Sequence, residues 1–303
     1  MKNKICIIYL IVIIITSVFF SCSSMAIVAD VGARIAGAAG VIDKNTAEAI
    51  STSAKAIGSA AEEINPEQEY YIGRAVAANI LGTYKLYTGK QALTYYLNSI
   101  CAAITINSPR PDIYNGYHVA ILDSNEINAF ATSGGHIYVT LGLINVAGSE
   151  DALAGVIAHE VAHIQLKHSI KAIKNSRITQ ALLITGTAAA GAATGMDVKQ
   201  LTDVMSESVG EIVQTLVNNG YSQTQEFEAD NTALSLMAGA GYNPSGLIEM
   251  LRSLNSVQTS ASGFGKTHPS PAQRIANAEK SMTKYKVTNT SASRNARFSV
   301  ATK

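Results

Sequence analysis

Apolar and polar positions alternate with two different periods along this chain, and the change of period marks its layout. In "NPEQEYYIGRAVAANIL" Asn65 is placed to cap a helix, Pro66 falls in its first turn and acidic residues follow, so a helix is expected from residue 66. "QALTYYLNSICAAITI" carries the same helical spacing. The pattern then shifts to strand. "YHVAILDS" alternates, and "NAFATSGGHIYVTLGLINV" places a glycine pair just before the β-rich run "HIYVT". Helical spacing returns from Asp151 to about Ile173, with Glu150 and Asp151 at its acidic start, and again over 201–217, 222–240, 244–256 and "SPAQRIANAEKSM". Residues 286–303 are polar and read as a mobile tail. No repeat of 30–40 residues is present, which excludes an appended helical-repeat module.

The ends of the chain add detail. "MKNK" precedes an uncharged apolar run, Ile5–Phe20, which is short for a membrane span and suited to an export signal. The run ends at "SCSS", where a small residue precedes Cys22, as in a bacterial lipobox whose cysteine becomes the lipidated first residue. Phe19 departs from that pattern, since an aliphatic residue is usual there. A lipoprotein is the first expectation, with residues 1–22 as the signal; an uncleaved anchor and a plain secreted protein are the alternatives. Residues 23–65, rich in Ala and Gly, read as a helical connector leading to a body over 66–285. The uncharged stretch 178–196 is only weakly apolar. It reads as a buried or lid-forming helical hairpin in preference to a membrane span.

Composition narrows the function. With 47% hydrophobic and 15% charged residues the chain has material for a real core. Its net charge of +1 and lack of a basic cluster argue against nucleic acid as a partner. Of three cysteines, only Cys101 remains for the folded body, so no disulfide within that body is possible. Cys101 reads as a small apolar core residue.

The chemistry is concentrated in "HEVAHIQLKH". Helical positions i and i+4 lie about 40° apart, so His159 and His163 can present two imidazoles to one metal ion, with Glu160 beside them to take a proton from an activated water. Zinc needs a third protein ligand and an open fourth position. The metzincin pattern would require Gly at 166 and His at 169, where the chain has Leu166 and Ser169. A second group of such proteins takes a glutamate from a later helix, backed by an aspartate one turn on. "YSQTQEFEAD" offers Glu226 as that ligand and Asp230 to orient a ligand histidine. Glu228, about 200° around the helix from Glu226, should face away as a solvated acid. His168 lies half a turn away from His159 on a regular helix, which leaves it a structural or supporting role. His118 reads as an ordinary histidine of a strand.

The blocks "HEVAHIQLKH", "EFEAD", "NAFATSGGHIYVTLGLI" and "THPSPAQR", over roughly residues 66–280, resemble family 48 of the zinc metallopeptidases. That family includes HtpX-type membrane proteases, CAAX prenyl proteases and exported outer-membrane quality-control proteases. The resemblance implies an α+β fold: a mostly helical zincin body with a small sheet whose edge strand borders the active-site cleft. It implies one Zn2+ per chain held by His159, His163 and Glu226, with Glu160 as general base. It makes the segment around Gly134, Gly135 and His136 the edge strand along which a substrate peptide pairs, and sets Asp230 and Arg274 behind the ligands. His268 would either stabilise the oxyanion or occupy the open zinc position in an idle enzyme; a simple turn before a helix is the plainer reading of "THPSP". The block often written with Ser-Arg before the ligand glutamate reads "YSQTQ" here, without the Arg, which removes a charge contact near the site and leaves the ligand set alone. The expected function is a zinc endopeptidase of the bacterial envelope, periplasm-facing and anchored through Cys22, acting on unfolded envelope proteins. The rival is an envelope chaperone or assembly factor with a latched, mostly silent site.

Overall fold

The computed structural model describes residues 22–48, 50–52, 64–106, 108–171, 210, 212–257, 263, 267–268, 271–286 and 292–303. The apolar run Ile5–Phe20 and the segment 178–196 therefore lie outside the described residues, as does most of the helix expected over 201–217. No described helix is long and apolar enough to cross a membrane. The chain divides into two compact units, and the second begins at Ile64.

In the first unit the described residues form α1 (Cys22–Ala38) and a further helical stretch at 44–48. Asp43 caps the latter, accepting from the backbone N–H of Thr46 at 3.0 Å.

The second unit is a mostly helical α+β body. Its helix α2 (Pro66–Thr83) starts where the sequence requires: Asn65 accepts from the backbone of Gln68, whose side chain returns a bond to close a capping box. After α3 (Gln91–Thr105) come β1 (His118–Leu122), β2 (Ala129–Thr132) and β3 (His136–Thr140). The sheet order is β1-β3-β2, with β1 parallel and β2 antiparallel to β3. Next are the short α4 (Leu141–Val146) and α5 (Glu150–Gln165), which is capped by Ser149 and buried along almost its whole length. A π-helical turn (Thr215–Asn219) leads to α6 (Gln223–Gly239), α7 (Ser245–Val257), α8 (Pro271–Met282) and α9 (Ala292–Thr302).

Helix α5 is the central element. It packs on α6 and α7, and α3 and β2 also lie against it. The α5–α7 approach is close enough to need glycine from both sides. A Cβ on Gly155 would stand 2.8 Å from the Cα of Leu247, and one on Gly246 would stand 2.4 Å from the backbone of Asp151. Both contacts are with backbone, which cannot swing aside as a side chain could. Gly246→Ala is therefore expected to destabilise the body by roughly 1–3 kcal/mol, read as a lowered thermal midpoint; an unchanged midpoint would mean that the helices separate freely.

The C-terminal segment differs from its sequence reading. Residues 292–302 are not a loose polar tail but helix α9, which lies against α5 and α3. Its polar composition conceals what holds it. Arg297 places its guanidinium 2.7 Å from the carboxylate of Glu150, a buried acid in the first turn of α5 that also accepts from the Tyr96 hydroxyl. Arg294 donates to the carbonyl of Gly241, and Phe298 packs against the core. Cys101 is buried in that core, and burial pushes its thiol up to about 12.

Candidate metal centre

Three helices deliver the polar groups at the heart of the second unit. From α5 come His159, Glu160 and His163, all buried. From α6 come Glu226 and Asp230, one turn apart and both buried. The register of α6 is set at its start, where Ser222 caps the backbone of Gln225 and Gln225 answers to complete a capping box. In "YSQTQ", then, Gln225 closes the N-terminus of α6. From α8 comes Arg274, and just ahead of that helix His268 enters from the segment that carries Thr267.

The donor atoms of four of these residues converge. His159 Nε2 lies 3.0 Å from His163 Nε2 and 3.5 Å from Glu226 Oε2, and His163 Nε2 lies 3.5 Å from Glu226 Oε1. His268 Nδ1 stands 3.3 Å from His159 Nε2 and 3.1 Å from Glu226 Oε1. All four residues are 3% exposed or less. A tetrahedral ion with bonds of about 2.0–2.1 Å sets its ligand atoms about 3.4 Å apart. The observed spacings bracket that value.

The charges favour a cation as well. Three buried carboxylates, Glu160, Glu226 and Asp230, face one guanidinium, that of Arg274. Glu160 keeps Oε1 buried without a hydrogen bond, 3.7 Å from His268 Nε2. Burial raises its pKa, against the opposing pull of His268 and His159. For Glu226 burial also works upward, but His268 and Arg274 outweigh it and hold the carboxyl well below the ordinary range. Burial and Arg274 push His159 down, yet hydrogen bonds to Asp230 and Glu226 prevail and lift it to about 9. His163 goes the other way, lowered by burial and by the His159 charge. These donors fit a divalent cation in composition, spacing and charge.

Behind the cluster, Asp230 sits 3.0 Å from His159 Nδ1 and accepts a two-pronged bond from Arg274 at 2.8 and 2.7 Å. Arg274 Nη1 also reaches Glu226 Oε2 at 3.1 Å. One guanidinium thus ties the α6 acids to the α5 histidine.

Several residues stand differently from their sequence reading. Strand β3 is central, hydrogen-bonded on both sides, so His136 lies inside the sheet and not on an edge. Gly134 and Gly135 form the β2–β3 turn, with φ +79° and +99°. A Cβ on Gly134 would meet Tyr70 at 2.4 Å, and one on Gly135 would meet the Gly116 carbonyl at 2.2 Å. Backbone geometry accounts for this glycine pair. The edge strand against α5 is β2, whose residues are all buried, with α2 and the π-helical turn packed on it. Asn128, just ahead of β2, accepts from the hydroxyl of Thr267, next to His268.

His168 and Glu228 depart further from expectation. The regular helix stops at Gln165, and Lys167 takes φ +56°, the one non-glycine residue with positive φ among those described. The break swings His168 back, so that its Nδ1 lies 2.8 Å from His163 Nδ1. Glu228 does face away from Glu226, but its Oε2 lies 3.2 Å from His168 Nε2 and is not merely a solvated acid. Tyr221 was not anticipated from the sequence at all. Its buried ring stacks on His163 with centroids 4.1 Å apart and 17° between planes. The available signal was an aromatic residue directly before the N-cap Ser222 of the helix that carries Glu226. The His118 ring meets a nearby carbonyl, that of Asn115, at 2.7 Å.

Comparison with known proteins bears on the same stretch of chain. Residues 92–282 match the family model "Peptidase family M48". The beta-barrel assembly-enhancing protease of Escherichia coli is 25% identical over 229 residues, covering 73% of this chain and 45% of that protein. Mitochondrial metalloendopeptidase OMA1 of Schizosaccharomyces pombe is 30% identical over 193 residues, 61% of this chain and 52% of its own length. Metalloprotease LoiP of Escherichia coli is 30% identical over 152 residues, 50% and 57% respectively. The chain spans about half the length of the curated relatives it matches. Since the family match takes in more than half of the chain and encloses the whole donor cluster, the chain belongs to peptidase family M48, a family of metallopeptidases.

Proposed function

We propose that the protein is a zinc-dependent endopeptidase whose single Zn2+ is held by His159, His163 and Glu226, with His268 as a fourth donor that closes the site. The observation that carries this reading is the set of donor spacings of 3.0–3.5 Å among these four buried residues, with Glu160 alongside. A bound zinc ion supplies Lewis acidity, lowering the pKa of water and polarising a peptide carbonyl. Glu160 takes a proton from the attacking water and returns it to the leaving amine. Its raised pKa suits it to both transfers. Asp230 and Arg274 keep the His159 ring turned toward the ion. An extended substrate pairing along β2, the edge strand beside α5, requires that the covering α2 or π-helical turn first move off this buried strand.

The relatives' names and the N-terminal sequence support a setting for this activity. One relative is called a beta-barrel assembly-enhancing protease, and the "SCSS" stretch offers Cys22 for lipidation. The chain is read as an exported envelope protein, anchored by lipid at Cys22 and cutting unfolded or misassembled envelope proteins.

Unfolded casein incubated with the purified chain and zinc tests the reading. Cleavage should vanish with a chelator and return with added zinc; a chain that binds no zinc would sink the proposal. The buried position of His268 Nδ1 among the donors favours the idle, closed arrangement. His268→Ala is therefore expected to retain zinc and cleave faster. Slower cleavage with zinc retained would instead assign His268 to oxyanion stabilisation.

A further inference from the structure

We infer that His168 and Glu228 form a positioning relay that fixes the orientation and tautomer of His163, a counterpart to the Asp230–Arg274 pair behind His159. The inference rests on the reading of His163 as a metal ligand.

The relay follows from which nitrogen faces where. His163 turns Nε2 into the donor cluster, 3.0 Å from His159 Nε2 and 3.5 Å from Glu226. If Nε2 gives its lone pair to a metal, the ring proton must sit on Nδ1. That N–H points at His168 Nδ1, 2.8 Å away, which must then accept. His168 therefore carries its own proton on Nε2 and donates it to Glu228 Oε2 at 3.2 Å. Both bonds run the same way, from His163 outward to a carboxylate, and each fixes the tautomer of the ring before it. His168 is fully buried, whereas Glu228 is half exposed. The chain thus ends on a charge that water can solvate, unlike the enclosed Asp230.

The backbone is bent to make this possible. His168 lies five positions after His163, and on an unbroken helix the two would lie about 140° apart. The left-handed Lys167 removes that separation. Such a conformation is costly for a residue with a side chain and persists where its surroundings hold it. Here they do. The Lys167 ammonium is paired with the buried Glu69 of α2. Arg110 also binds Glu69, at 3.0 Å, and its other guanidinium nitrogen reaches the final α5 carbonyls, Ile164 at 3.3 Å and Gln165 at 3.5 Å. The Glu69–Arg110–Lys167 cluster clamps the break that returns His168 to the ligand. Tyr221, stacked on the face of the His163 ring, leaves that imidazole little freedom to tilt.

The test is zinc affinity, measured by chelator competition on the full chain, together with the visible spectrum of its Co2+ form. His168→Phe keeps the ring shape but can neither accept nor donate, and should weaken zinc binding by about 10- to 100-fold. His168→Asn sets an oxygen near the old Nδ1 position and should recover most of that loss. Glu228→Ala, at a half-exposed site, should weaken zinc by a smaller factor in the wild-type background and by nothing further in His168→Phe. Wild-type affinity and an unchanged Co2+ spectrum in His168→Phe would overturn the relay, as would a Glu228→Ala effect that persists in full without His168. Should His168→Phe fail to fold, His168→Asn and Glu228→Ala still decide the matter: wild-type zinc affinity in Glu228→Ala would overturn the relay. A wild-type chain that takes up neither zinc nor Co2+ would overturn the reading of His163 itself, and the relay with it.

Discussion

Glutamine at position 160 is expected to leave zinc in place and to cut casein turnover by about a hundredfold to ten-thousandfold, the usual worth of a positioned general base. Glu160 is buried beside the donor cluster, and its Oε1 makes no hydrogen bond that a glutamine amide would break. The substitution preserves shape and removes only the ability to take up and release a proton. The proposed metal donors, on other residues, are untouched, so metal content and thermal midpoint should stay near wild type while the rate of cleavage collapses. Metal analysis, a melting curve and a casein assay on the same preparation separate these effects. Undiminished proteolysis by Glu160→Gln would remove Glu160 from the mechanism.

Arg274→Met should have the largest effect on stability. The guanidinium is fully buried, bonds Asp230 twice and reaches Glu226. Without it two buried carboxylates lose their shared counter-charge, a change that costs roughly 3–5 kcal/mol, or a fall of roughly 10 °C in the thermal midpoint for a body of this size. The metal-free protein should show the effect most strongly, because a bound cation offsets part of the lost charge. Acid dependence follows from the same groups. Burial pushes both carboxyls up, but Arg274 and the nearby histidines hold Asp230 below 3.8 and Glu226 well below 4.5. Their contribution is thus fully present above the ordinary carboxylate range and is lost only as pH falls through the depressed folded values. In Arg274→Met the wild-type loss on acidification should be largely absent, having already been incurred at neutral pH. Equal melting curves for the two proteins at neutral pH would show that Arg274 is not the counter-charge.

Much of the scaffold was legible from local signals. Asn65 with Pro66 starts α2, and the change of period from "QALTYYLNSI" to "HVAIL" separates α3 from β1. The four-residue spacing of His159 and His163 sets both rings on one face of α5, and the same spacing aligns Glu226 with Asp230 on α6. These features depend on residues within a turn or two of one another, and short-range periodicity carries them. The polar helix α9 was missed because its anchor, Glu150, is 147 residues away from Arg297 along the chain. A composition that is polar by itself gives no sign of an ion pair with a distant buried acid.

The sequence by itself determined which residues could hold and use a metal, and which helices would carry them. The tertiary structure alone decided how those helices meet. It made β3 the centre of the sheet and β2 its edge, because strand order depends on pairings between distant segments that no local pattern records. It also turned His168 back onto His163 and gave Glu228 a partner, because the break at Lys167 is held by Glu69 and Arg110, which come from elsewhere in the chain. Helical periodicity fixes directions only while the helix lasts, and here contacts made across the fold determine where it stops.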